Sequence, residues 1–95
     1  MHFSIPHTHP ALAGHFPGQP IVPGVLILET VLASARQQEE QQIRGVAQAK
    51  FTSVLLPDER CLITFSRSSQ GLRFSCMVDD RPVASGLLTL ASDTP

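Results

Sequence analysis

The sequence is short of positive charge, and that shortage removes one class of function at once. Lysine and arginine number 7 against 8 acidic residues, for a net charge of −1. A protein built around nucleic-acid phosphates normally carries a basic surplus, so no nucleic-acid partner is expected. Long hydrophobic runs are missing too. No apolar stretch approaches the roughly 20 residues of a membrane-spanning helix, so no membrane span is expected. The opening MHFSIPHTHP has no basic start followed by an apolar stretch, so it does not read as a signal peptide, and a cytoplasmic location is expected. Cysteine is scarce: Cys61 and Cys76 form no CxxC pair. They are expected as buried free thiols, not as a disulfide. Tyrosine and tryptophan are absent.

What is present is globular. Hydrophobic residues make up 42% and charged residues 16% of the chain, outside the composition of disordered segments. Ninety-five residues make one domain, residues 1–95. A domain of this size buries only roughly 60–65% of its unfolded surface, so the core is modest and a partner subunit would help it. Arg36, Arg44, Arg60, Arg67, Arg73, Arg81 and Lys50 all follow the Pro/Gly-rich first third. They read as scattered solvated charges.

The chain divides by texture into three parts. Residues 2–5 are a candidate short strand. Residues 6–24 are crowded with Pro6, Pro10, Pro17, Pro20, Pro23, Gly14, Gly18 and Gly24. Each proline pins its own φ and restricts its predecessor, which predicts a fixed irregular loop, long enough to be functional. Residues 24–42 read as a helix that Pro23 and Gly24 start and Gly45 stops. Its first half, VLILETVLASA, is apolar nearly all round, which predicts burial on all sides; RQQEEQQ then leaves the core. Strands are predicted over 46–55, 61–67, 72–78 and 82–90, with turns at Pro57-Asp58, at 68–71 and at Asp79-Asp80. Cys61, Ile63 and Phe65 share one face, as do Leu72, Phe74, Cys76 and Val78. One helix followed by an antiparallel meander is an α+β layout in which the sheet wraps the helix. The open sheet edge this leaves would be removed by pairing across a two-fold.

The segment GHFPGQPIVPGVLILE, residues 14–29, carries the chemistry. His15 stands in the rigid loop and Glu29 in the middle of an apolar helix. Burial raises a carboxyl pKa, which makes Glu29 a candidate general acid. Histidine is the commonest general base near neutral pH. Between them the helix start at Gly24-Val25 offers free backbone N–H groups to a developing oxyanion. Gly24 lets a ligand carbonyl approach closely. A lone loop histidine is more often a surface residue and a lone helical glutamate more often solvated, so on the residues alone both readings stay open. His7 and His9 form an HxH, but two histidines make a weak metal site with no acidic or cysteine ligand near them in the sequence. No metal is expected.

The same segment resembles the active-site motif of the bacterial 3-hydroxyacyl-[acyl-carrier-protein] dehydratases, the FabZ/FabA group of the hotdog superfamily. The resemblance weakens after residue 33. It continues in AKFTSVLLPDERCLITF, where Pro57-Asp58 stands for the family's Pro-Gly-Asp turn, and in VDDRPVASGLLTL. The chain departs from FabZ in lacking the helix and strand that usually precede the motif, and in lacking Tyr and Trp. The resemblance implies an α+β hotdog fold, an antiparallel sheet wrapped around one long apolar helix. It implies His15 as catalytic base and, fourteen positions later, Glu29 as the acid. It implies Gly24 and Val25 as amide donors to the thioester carbonyl, with Phe16, Pro17, Gly18 and Pro23 as pocket or loop support. The implied reaction is loss of water from a carrier-protein-bound 3-hydroxyacyl thioester to give a trans-2-enoyl thioester, in fatty-acid or aryl-polyene-like biosynthesis. No cofactor is implied beyond the phosphopantetheine arm of an acidic acyl carrier protein. In the family His comes from one subunit and the acid from the other, so a homodimer, a higher oligomer or a heterodimer with another hotdog subunit is implied.

Two rival readings stand beside this one. A hotdog acyl thioesterase would use an acid to activate water at the thioester carbonyl; it would release a free thiol. A non-catalytic hotdog subunit would complete a partner's site, and would have no need of both His15 and Glu29.

Overall fold

The computed structural model describes residues 1–12, 21–38 and 43–91. In chain order these form β1 (His2–Phe3), a 3-10 turn (Pro10–Leu12), α1 (Gly24–Gln38), β2 (Ile43–Phe51), β3 (Cys61–Ser68), β4 (Gly71–Val78) and β5 (Arg81–Leu90). The strands make one five-stranded sheet in the order β1-β3-β4-β5-β2, antiparallel at every pairing. Among the described residues no helix is long and apolar enough to cross a membrane.

Alternation in β3 to β5 sets the two faces of the sheet. Leu72, Phe74 and Cys76 lie opposite Leu88, Gly86 and Ala84, and together with Ile63 they form the inner face. Ile27, Val31 and Ala35 of α1 join them in one buried cluster. The Ile27 and Val31 side chains each contribute about 1.5–3 kcal/mol by leaving water. Gly86 is required by this packing: a Cβ there would lie 2.8 Å or less from the Phe74 ring and collide with the Gln48 carbonyl. The glycine therefore lets Phe74 lie across β5 while β2 stays in pairing distance.

The segment between β2 and β3 is tied down at several points. Arg81 meets both Glu59 carboxylate oxygens, at 2.8 and 2.7 Å, and also reaches Ser53 Oγ at 3.1 Å. The Leu56 N–H donates to Glu59 Oε1 at 2.8 Å. That backbone bond, joined by Arg81, holds the Glu59 carboxyl below its ordinary range against the opposing effect of partial burial. Asp58 has φ 68°, the left-handed conformation that aspartate tolerates better than most residues. It takes the place of the glycine missing from this turn. Its carboxylate meets His7, with the His7 N–H at 3.3 Å and Nδ1 at 3.0 Å. An acidic neighbour thus stands beside the HxH after all, brought from a distant part of the sequence. No group of three His, Cys, Asp or Glu residues forms among the described residues.

Cys61 and Cys76 are free and fully buried, as expected. The Cys61 thiol beside it, and burial, push the Cys76 thiol up and out of the reactive range.

Several boundaries differ from the sequence reading. The first strand is only His2–Phe3. Helix α1 ends at Gln38, and residues 39–42 lie outside the described residues. Gly45 is not a helix stop: it sits inside β2, paired with Thr89. Strand β2 runs 43–51, not 46–55, because its register against β5 shifts twice, between Ile43 and Gly45 and between Val46 and Gln48. Each shift breaks the period of two on which strand recognition depends. The strands after the helix are also not a simple meander. β2 pairs with β5 at the far edge of the sheet, and the 52–60 segment returns the chain to β3.

Helix α1 is not buried all round. Only Ile27, Val31, Ser34 and Ala35 are buried, because a single chain brings one sheet face to one side of the helix. Val25 is 64% exposed, and Glu29 is exposed one turn later. Strand β2 is likewise bare, exposed at every residue from Val46 to Phe51, and one of its edges pairs with nothing among the described residues.

Candidate active site

Proline 23 and glycine 24 build the centre of the site. Pro23 ends the loop and its carbonyl accepts from the Leu26 and Ile27 N–H groups at 3.0 and 3.3 Å. The N–H groups of Gly24 and Val25 precede the first intrahelical bond, as the first amides of any helix do. Among the described residues neither has a backbone partner. They are two adjacent donors at the positive end of a fifteen-residue helix. This is the arrangement that holds a carbonyl oxygen as it gains negative charge.

Glu29 lies one helical turn beyond Val25, on the same face. Both look out from the chain. The burial that the apolar flanks of Glu29 predict is therefore not supplied within one chain: the carboxylate is exposed. Thr30 beside it is turned back to the helix, its Oγ1 donating to the Leu26 carbonyl at 2.9 Å. His15, Phe16, Pro17 and Gly18 lie outside the described residues. The structure thus joins Pro23, Gly24, Val25 and Glu29 on one helix end.

A residue the sequence reading did not single out also belongs here. The ring of Phe51, the last residue of β2, covers Gly24: a Cβ at position 24 would lie 2.9 Å from Cζ and 3.2 and 3.3 Å from Cε1 and Cε2. The neighbouring backbones are joined as well, the Val22 N–H donating to the Leu55 carbonyl at 2.9 Å. The segment leaving β2 therefore runs beside the segment entering α1. The only hint in the sequence was the Lys50-Phe51 pair within the family-like AKFTSVLLP run.

Comparison with known proteins gives the family. Residues 1–87 match the ApeI-like family, described as ApeI dehydratase. The 3-hydroxyacyl-[acyl-carrier-protein] dehydratases FabZ of Klebsiella pneumoniae and Salmonella arizonae are each 31% identical, over 88% of this chain and 66% of their own length. The chain therefore spans just under two thirds of these relatives. Among solved structures, the dehydratase heterocomplex ApeI:P from Xenorhabdus doucetiae superposes with a TM-score of 0.77 at 24% identity, over 94% of this chain and 82% of the other. The five-stranded antiparallel sheet with its one helix is the hotdog fold expected from the sequence, and the chain belongs to the ApeI-like dehydratase family.

Proposed function

We propose that this chain removes water from 3-hydroxyacyl thioesters presented on the phosphopantetheine arm of an acyl carrier protein, giving trans-2-enoyl thioesters. The observation that carries the reading is the pair of Gly24 and Val25 amides at the start of α1, without a backbone partner among the described residues, with Glu29 one turn along the same face. His15 removes a proton from C2, and negative charge moves onto the thioester oxygen. The two amides hold that oxygen. As the C2–C3 double bond forms, the C3–O bond breaks, and Glu29 supplies the proton with which the hydroxyl leaves as water. No cofactor or metal takes part in this scheme.

The reading makes the site a product of assembly. Glu29 faces outward, so a subunit placed against α1 would take the carboxyl out of water and close the site around it. The His15 that works with it then comes from the other subunit. The exposed edge of β2 is the natural line of contact. A heterodimer with another hotdog subunit is supported beside a homodimer, since the similar structure from Xenorhabdus doucetiae is a heterocomplex.

The test is turnover of a 3-hydroxyacyl-[acyl-carrier-protein], followed by mass, for the purified protein and for His15→Ala and Glu29→Ala. The expected result is loss of one water by the wild type, reduced about a hundredfold or more in each variant. Release of free carrier thiol in place of water loss would overturn the reading in favour of hydrolysis. A complex with a partner hotdog subunit that keeps full activity with His15→Ala would make this chain a structural subunit.

A further inference from the structure

Phe51 is the feature at the helix start that the chemistry above leaves unused. Its ring tip is seated on Gly24 within van der Waals contact, an approach that only the missing side chain permits. The ring nonetheless stays 47% exposed, so one part rests on the helix and the rest is open. The residues around it share this character. Chain-wide, the described exposed large hydrophobics are Met1, Val25, Val46, Phe51, Val54 and Leu56. Four of these six lie on the two segments that the Val22–Leu55 hydrogen bond joins. Exposed apolar side chains therefore gather on the segments beside the start of α1.

That placement has a chemical consequence. A thioester whose oxygen is held by those amides has its carbonyl carbon one bond away. The acyl chain continues from that carbon on one side and the sulfur on the other. A ring in contact with Gly24 lies within a few ångströms of both. Carrier arms are alike from one substrate to the next, whereas acyl chains differ, so a fixed aromatic wall discriminates among acyl chains. An apolar wall also keeps water from the amides, where hydrogen bonds to a developing oxyanion are worth most.

We propose that Phe51 is a specificity-determining residue, its ring seated on Gly24 forming the wall against which the acyl chain lies next to the thioester carbonyl. The inference rests on the dehydratase reading and names the residue that limits its substrate. Shortening the ring opens space beside C2 and C3 of the substrate. Removing it loses apolar contact with short chains and admits longer or bulkier ones.

The experiment compares wild type, Phe51→Leu, Phe51→Ala and, as a control on the opposite face of β2, Gln48→Ala. Each is given 3-hydroxyacyl-pantetheine thioesters of stepwise increasing acyl length, with kcat and KM taken separately. In parallel, each is titrated with the unreactive pantetheine amides of the same acyl groups. The thermal unfolding midpoint identifies variants that are folded. The expected result is a shift in preference toward long chains by about tenfold or more in Phe51→Ala, the size of effect that one methylene of misfit produces. Phe51→Leu should be intermediate and Gln48→Ala unchanged, with the same order in the amide binding constants. An unchanged length profile in a folded Phe51→Ala overturns the proposal. So does a change in association state, read by light scattering, with the profile intact; that outcome makes Phe51 a subunit contact. If the wild type binds the amides with the expected Phe51 dependence but turns over no thioester, the dehydratase reading fails and the acyl contact stands. Absence of amide binding by folded wild type overturns both.

Discussion

Gly24 serves two partners, the Phe51 ring on one side and the open end of α1 on the other. Gly24→Ala would place its Cβ 2.9 Å from Phe51 Cζ, the far end of a side chain that can swing. Alanine is also the better helix former. The unfolding midpoint should therefore change little while turnover falls, and thermal melts beside kinetics check this. Cys61 and Cys76 make the opposite case, chemistry suppressed by packing. Both are fully buried, and the Cys76 thiol is held protonated by its neighbour and by burial. A thiol reagent should label neither in the folded protein and both after denaturation. Labelling of the native protein at the rate of a free thiol would refute that account. At this scale the joint placement of Gly24, Val25 and Glu29 along the start of one helix was legible in the sequence, because they fall in one short run; His15 lies outside the described residues. Phe51 was not legible, because its partner Gly24 belongs to an element remote in the chain, and adjacency across a sheet leaves no periodic mark.

The connection from β2 to β3 is anchored by the buried Leu55 and by ion pairs near its end, of which the Glu59–Arg81 pair is the more sheltered. Glu59 accepts from the Leu56 N–H, and both its carboxylate oxygens accept from Nη2 of Arg81. Its folded-state pKa lies below the ordinary value of 4.5. The stability it contributes is thus present above about pH 4.5 and is lost as pH falls through the lower folded value. Glu59→Gln should cost about 1–2 kcal/mol at neutral pH and should flatten the acid limb of stability against pH, measured by denaturant unfolding. Gly86 makes a second demand at this scale. Gly86→Ala should destabilise by about 1–3 kcal/mol or more, since the Phe74 ring and the Gln48 backbone would both have to give way. Strands β3 and β4 were readable because their buried apolar residues recur at every second position, Cys61 and Ile63 in one and Leu72, Phe74 and Cys76 in the other; β5 was readable as a long apolar run between turn residues. Strand β2 was misplaced because its two register shifts and its bare surfaces erase that alternation. The helix was overestimated as a buried rod, since a sequence pattern reports what a residue would prefer and not whether one chain has enough sheet to satisfy it.

The single chain leaves two sides open, the outward face of α1 with Val25 and Glu29 and the edge of β2. A chain that belongs to a dehydratase family and leaves Val25 and Glu29 exposed invites a second subunit across both. Light scattering should give at least twice the mass of the 10.3 kDa chain, alone or with a hotdog partner. Val46→Asp, which places a charge on the bare strand, should lower that mass and take activity with it. A fully active monomer would count against an assembled site. The other broad face of the sheet has a different character. Thr64, Ser75, Ser85 and Lys50 stand side by side across four strands, a line of hydroxyls that ends in a cation, with Arg73 close by on the same face. Two such faces laid together would set the Lys50 and Arg73 charges of one copy against those of the other and would strip water from the row of hydroxyls. Copies of this protein should therefore join as tiles do, edge to edge in one layer, and not stack as pages.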